Sequence, residues 1–242
     1  MIADVWLSTL SVLGLGFALG LKHALDADHL AAVSTLVSER KSLLGSSIVG
    51  ALWGLGHTIA LLAAGIGVIL LHVEIGRRTA QGLEFGVAVM LIALGANALW
   101  KLGRGGRLHM HAHEHSGRVH LHPHVHDESP RRAPYSHHDF GFTARPVLVG
   151  MMHGLAGSAA VMLLVLSTIR SPLVGFAYIA VFGVGSIGGM LCMSALVSVP
   201  FHLTSARFVR AHVAVRALAG IVSLGCGLLM AYDIGFAGGL FL

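Results

Sequence analysis

Charge is what this chain lacks most. Only 11% of its 242 residues are Asp, Glu, Lys or Arg, against about 25% in soluble domains, and a water-soluble globular fold is thereby excluded. Cysteine is nearly absent: Cys192 and Cys226 both lie in apolar segments, so neither a disulfide framework nor a thiolate metal cluster is expected. There is no GxxxxGK[S/T] phosphate loop, which rules out ATP hydrolysis of that kind, and no HExxH zinc-protease motif. The first apolar run has no charged leader and no small-residue cleavage site, so it reads as a membrane span and not a secretory signal. The isoelectric point near 9.8 does not imply nucleic acid, because the basic residues gather beside the apolar runs.

What is present is hydrophobic length. The chain is 55% hydrophobic, with a mean hydropathy of +0.79 and 32 glycines; glycine at this density suits closely packed membrane helices. A bilayer core about 30 Å thick takes about 20 apolar residues per helix. Six stretches qualify: 4–22 (with a continuation to 37), 44–71, 81–101, 146–169, 173–199 and 213–234. The second and fifth exceed the need, so tilting or breakage at their glycine clusters is expected. Segment 102–145 differs, holding ten of the seventeen histidines and three prolines. It reads as a disordered loop. With six spans, Arg40, Lys41, Lys101, Arg104, Arg107, Arg118, Arg131, Arg132, Arg145, Arg207, Arg210 and Arg216 fall on one side and Arg77, Arg78 and Arg170 on the other. The positive-inside rule then puts both termini outside and the His-rich loop in the cytoplasm.

The chain also resembles itself. "KHALDADHLAAVSTLVS" at 22–38 aligns with "MHGLAGSAAVMLLVLST" at 152–168, "LWGLGHTI" at 52–59 with "VFGVGSIG" at 181–188, and "LIALGANALW" at 91–100 with "IVSLGCGLLM" at 221–230. The offsets are 130, 129 and 130, pairing His23 with His153, Trp53 with Phe182, Gly56 with Gly185 and Gly95 with Gly225. Three spans per repeat is an odd number, so the halves are oppositely oriented. The expected fold is an all-α membrane protein of about six spans, built as two inverted three-helix repeats, 1–101 and 146–242, around the loop. This is a transporter architecture, with its site at the repeat interface, and it predicts that His23 and His153 lie within about 15 Å of each other.

One window carries the chemistry. "GLKHALDADHLAAV" at 20–33 places His23, Asp26, Asp28 and His29 within seven residues where a span should run. Ionisable groups in a span cost several kcal/mol and face a cavity or a partner. On a regular helix His23, Asp26 and His29 share one face, while Asp28 points elsewhere unless the helix unwinds. Imidazoles with carboxylates suit a divalent first-row metal such as Ni²⁺, Co²⁺, Cu²⁺ or Zn²⁺; the alternative is a helix end capped at the interface beside Lys22. His57 sits alone in the second apolar run, and His153 is the repeat mate of His23. Thr58, Asn97, Ser158 and Ser186 read as helix-packing groups. In the loop, His109, His111, His113, His115, His120, His122, His124 and His126 alternate with other residues; auxiliary metal binding is expected, with a solvated polar linker as the alternative.

His23, four residues, then Asp28-His29 within "KHALDADHL" resembles the signature of the NiCoT nickel/cobalt transporters. "GLGHTIALL" at 54–62 is similar to that family's second motif. The resemblance implies that His23, Asp26, Asp28 and His29 handle the metal and that His57 contributes. It covers about forty residues. The family's larger members have eight spans and an acidic, Thr-containing motif in the second half. Here "MHGLAGSAAV" at 152–161 stands instead, offering His153 without a carboxylate. The chain is thus more similar to the short, six-span relatives linked to urease or cobalamin systems.

The expected function is a secondary transporter moving Ni²⁺ or Co²⁺ across the cytoplasmic membrane. The ion is substrate, no cofactor is expected, and the partners are the metal, the lipid bilayer and, on the cytosolic side, a metal chaperone; no nucleic acid is involved. Uptake is favoured because a divalent cation entering a negative interior gains about 4.6 kcal/mol per 100 mV. Efflux stays open as the alternative, and an exporter would need a coupled ion. An intramembrane metalloenzyme is the reading from another class, and a sensor or chaperone built on the loop is a further one. The chain is expected not to be an enzyme, since no separate general base stands near the ligands.

Overall fold

The structure is a computed structural model that describes residues 2–38, 40, 42–71, 76–104, 108–115, 118–125, 140–156, 171–205 and 209–241. Its elements in chain order are α1 (Ile2–His23), α2 (Ala27–Val37), α3 (Leu43–Ile69), α4 (Arg77–Gly103), β1 (Leu108–His115), β2 (Arg118–Val125), α5 (Phe140–Gly154), α6 (Pro172–Ser205) and α7 (Val209–Tyr232), the last running into a wide turn at Asp233–Ala237. Among the described residues α3, α4, α6 and α7 are each long and apolar enough to cross a membrane, and α1 with α2, bent by 55° at their break, is a fifth candidate, as a broken span or a re-entrant loop. The chain is a multi-pass membrane protein. The expected span at 146–169 begins in α5, but its stretch 157–170, with Ser158, lies outside the described residues. Neither long span breaks at its glycines: α3 and α6 are continuous over 27 and 34 residues.

Two sequence expectations are altered. The first span does not run straight to 37; it stops at His23 and restarts at Ala27. Segment 102–145 was expected to lack regular structure, yet β1 and β2 pair antiparallel. The reason is its alternation. A period of two is the period of a strand, and Leu108, Met110 and Ala112 alternate with His109, His111 and His113 much as Val119, Leu121 and Val125 do with His120, His122 and His124. Pro123 is tolerated because each strand of a two-stranded ribbon is an edge.

The long helices invert the soluble pattern. On α3 the large residues Leu44, Ile48, Leu55, Ile59 and Ile66 recur at four- and seven-residue steps and stay exposed, forming one apolar stripe for lipid. The inward face is rich in small residues: Ser46, Gly50, Gly54, Gly56, Ala60 and Gly65 are buried there, together with the larger Val49, Trp53, His57 and Leu61. Small residues let backbones meet where lipid supplies no hydrophobic drive. Thus α3 packs on α6 and α5, α1 on α6, and α4 on α7.

Four of the close glycine-to-carbonyl approaches come in matched sets. A Cβ at Gly20 of α1 would strike the Phe182 carbonyl of α6, and one at Gly150 of α5 would strike the Trp53 carbonyl of α3. A Cβ at Gly185 of α6 would strike the Phe17 carbonyl, and one at Gly56 of α3 the Val147 carbonyl. Hydroxyls add to these seams: Thr58 Oγ1 donates to the Gly183 carbonyl at 3.3 Å and Ser186 Oγ to the Gly20 carbonyl at 3.3 Å.

Candidate metal centre

The site starts from the break in the first span. Beyond His23 the chain makes a tight turn, with Leu25 N–H donating to the Lys22 carbonyl at 2.9 Å and Asp26 N–H to the His23 carbonyl at 3.1 Å. Asp26 then occupies the N-cap position of α2 with extended backbone, but its side chain makes no capping bond. The Asp26 carboxylate lies instead 2.8 Å from His23 Nδ1. Asp28 and His29 follow in the first turn of α2, where an acidic residue suits the positive end of the helix dipole. Asp28 Oδ1 accepts from the His29 backbone N–H at 2.9 Å and lies 3.1 Å from His29 Nδ1. The bend therefore brings Asp28 into the cluster that a straight helix would turn it away from. Asp26 remains at the margin, its side chain 50% exposed.

The other histidines arrive on glycine-lined crossings. Trp53 and His57 are one turn apart on α3, and Gly150 and Gly154 are one turn apart on α5. Gly150 sits against the Trp53 carbonyl and Gly154 against that of His57. The two backbones touch, and His153 between these glycines is delivered into the cluster, its Nε2 2.8 Å from Asp28 Oδ2. His29 is the hub: its ring centroid lies 4.3 Å from that of His23, 4.1 Å from His153 and 5.6 Å from His57, while His23 and His57 are 4.9 Å apart. His23 and His153 therefore flank one common ring, well inside the expected 15 Å.

His29, His57 and His153 are buried, each at most 3% exposed. Yet His23 Nε2, His29 Nε2, both His57 ring nitrogens and His153 Nδ1 have no hydrogen-bond partner. A buried polar atom left unpaired costs on the order of 1–3 kcal/mol, so several at one point require an explanation. Two groups of donors lie within 4.8 Å of one another: His23, His29 and His57, and Asp28, His29 and His153. With metal–nitrogen bonds of about 2.1 Å, two donors on one ion are at most about 4.2 Å apart, so either group would close by less than about 1 Å around an ion. In the first group, His23 and His29 each turn Nδ1 to a carboxylate and leave Nε2 free. A carboxylate behind the ring is how metal-binding histidines are commonly oriented, since it fixes the tautomer and raises ligand basicity.

Of the sequence candidates, the structure brings His23, Asp28, His29, His57 and His153 together and sets Asp26 behind His23. The loop histidines lie elsewhere in the chain. His109, His111 and His113 stand opposite His124, His122 and His120 in the hairpin register, His115 stands opposite Arg118, and His126 is outside the described residues. Sequence reading did not place Trp53 in the site. Its ring lies 5.1 Å from His29 and 5.6 Å from His153, and its indole nitrogen is buried without a partner. The signal was its position four residues before His57, one turn up the same face. Phe182, its counterpart in the repeat, lies 5.8 Å from His23.

Comparison with known proteins adds two findings. Residues 9–240 match the NicO family, described as high-affinity nickel-transport protein. Over 232 residues the chain is 40% identical to the urease accessory protein UreH of Bacillus sp. (strain TB-90), covering 96% of this chain and 95% of that one. No solved structure matches the chain.

Proposed function

The chain belongs to the NicO family of high-affinity nickel-transport proteins, and from that premise we propose that it carries Ni²⁺ into the cell through the buried histidine cluster. One observation carries the reading: unpartnered imidazole nitrogens from the α1–α2 pair, α3 and α5 gather in two adjoining donor groups inside the span bundle. A divalent ion would satisfy them and offset the buried carboxylates, so a constellation that is costly when bare becomes favourable when loaded. Nitrogen and oxygen donors suit Ni²⁺, and Co²⁺ accepts the same set. The membrane potential drives the ion inward by about 4.6 kcal/mol per 100 mV, so uptake needs no nucleotide.

The finer architecture follows. The matched glycine contacts pair residues at the 129–130 offset of the sequence repeat: Gly20 with Gly150, Phe182 with Trp53, Gly185 with Gly56, and Phe17 with Val147. Such reciprocity is what two inverted repeats produce, and it supports a site at their interface. The positive-residue bias orients both termini outward and the His-rich segment toward the cytoplasm. There the hairpin histidines act as an auxiliary acceptor, from which a cytosolic metal chaperone could draw.

The test is accumulation of radioactive nickel in cells lacking their own nickel importers, with and without the chain, before and after collapse of the membrane potential. Uptake that requires both the chain and the potential supports the proposal. Accumulation below the empty-vector level would make the chain an exporter, and unchanged accumulation would overturn nickel transport. Excess Co²⁺ as competitor reads the second metal.

A further inference from the structure

The two donor groups share a single residue, His29. One group is made of imidazoles alone, His23, His29 and His57; the other adds the carboxylate of Asp28 to His29 and His153. A neutral imidazole has one lone pair in the ring plane. With Nδ1 turned to Asp28 Oδ1 at 3.1 Å, His29 keeps Nε2 without a partner, so it can serve one group at a time. Its ring is wedged between His23 at 4.3 Å and His153 at 4.1 Å, with the Trp53 indole alongside at 5.1 Å. The groups also differ in what lies beyond them. His23 leads to the half-exposed Asp26, whereas His153 sits on α5 against the other half of the molecule's α3.

We infer that these are two stations of one path, occupied alternately by a single ion that is handed across His29. This rests on the nickel-transport reading and goes beyond it, because a single composite site would transport as well. In the hand-off the ion exchanges His23 and His57 for Asp28 and His153 while His29 swings with it. In net terms one neutral imidazole is replaced by a carboxylate, so the ligand charge differs between stations and the ion is never without protein ligands. Nothing is oxidised or reduced. One ion per chain follows from the shared ligand, although five donor residues are present.

The experiment combines equilibrium binding of radioactive nickel to the purified full-length protein with nickel flux into proteoliposomes. The variants are His57→Gln, His153→Gln and His29→Gln, each keeping a polar side chain of similar size, and monodisperse elution with an unchanged melting temperature verifies the fold. Binding by the His-rich hairpin is common to all and serves as the baseline. The two-station path expects His57→Gln and His153→Gln each to retain one ion above baseline, since one triad survives, while flux falls by at least about tenfold. His29→Gln, which breaks both triads, loses the ion and the flux. If either single variant loses its ion as completely as His29→Gln, the donors form one composite site and the inference fails. Two ions bound together in the intact chain would overturn it by making His29 a bridge, and full flux in a single variant would remove that station from the path. Intact protein that carries no nickel at all would refute the transport reading itself, a result separate from each of these.

Discussion

Histidine is used in two regions of this molecule under opposite constraints. In the bundle, His29, His57 and His153 are buried, on elements far apart in sequence, and their positions depend on a helix break and on glycine-to-carbonyl contacts. In the hairpin, His109, His111, His113, His120, His122 and His124 are placed by local alternation and strand register alone. The first region restricts its ligands to a few discrete arrangements, because close-packed helices do not deform continuously. The second repeats the same cross-strand pair along a ladder. A site that must select an ion needs the first kind, while one that only gathers ions works with the second.

Loss of the hub should have the largest effect. His29→Ala should reduce nickel flux by more than about 100-fold, since loss of groups that merely orient a ligand already costs 10–100-fold; flux into proteoliposomes at matched protein content measures it. Retained flux would mean that the buried cluster is not the path. Asp28→Asn comes next. Asp28 turns one oxygen to His29 and the other to His153, at 3.1 and 2.8 Å. An amide keeps the shape without the charge, so nickel affinity should fall by about 10–100-fold, read as a shifted half-saturation for flux with the melting temperature unchanged.

A third substitution tests whether packing places the ligands. Gly150→Val puts a side chain where the Trp53 carbonyl stands, whereas Gly86→Val on α4 meets nothing within 4 Å. The first should cost about 1–3 kcal/mol of overpacking, lower the melting temperature in detergent and reduce flux by displacing His153. The second should leave both measurements near the parent. Equal behaviour of the two would deny that the α3–α5 crossing sets the site.

How much of this could be read from the sequence differs by region. The membrane class, the positions of the long helices and the candidate ligands were legible, because hydropathic length and ionisable residues in apolar runs are local signals. The relative placement of Asp26 and Asp28 was not. Helical periodicity places Asp26 with the histidines, and only the 55° break brings Asp28 to the centre; a break is settled by packing against α6 and α7, which the window itself does not encode. Trp53 was missed for the same reason, as its neighbours His29 and His153 come from other elements. The hairpin differs in the opposite sense: its period of two is a local strand signal, which the histidine-rich composition of the segment masks.

The smallest expected effect lies in the hairpin ladder. Register pairs His111 with His122 and His113 with His120, and directly opposed residues have Cβ atoms about 5 Å apart. Two double variants remove the same number of histidines in different ways. His111→Ala with His122→Ala deletes one pair and leaves two, His109 with His124 and His113 with His120. His111→Ala with His120→Ala breaks two pairs and leaves one. If the ladder gathers metal by pairs, the first variant should keep about twice as much hairpin-bound nickel as the second in equilibrium dialysis of the full chain. A chain gathering metal by histidine content alone would bind equally in both. Flux at saturating nickel should stay within about twofold of the parent in either case, because ligand geometry in the bundle is untouched. A flux loss comparable to that of Asp28→Asn would instead place the hairpin on the obligatory path, and the division between selecting and gathering would no longer hold.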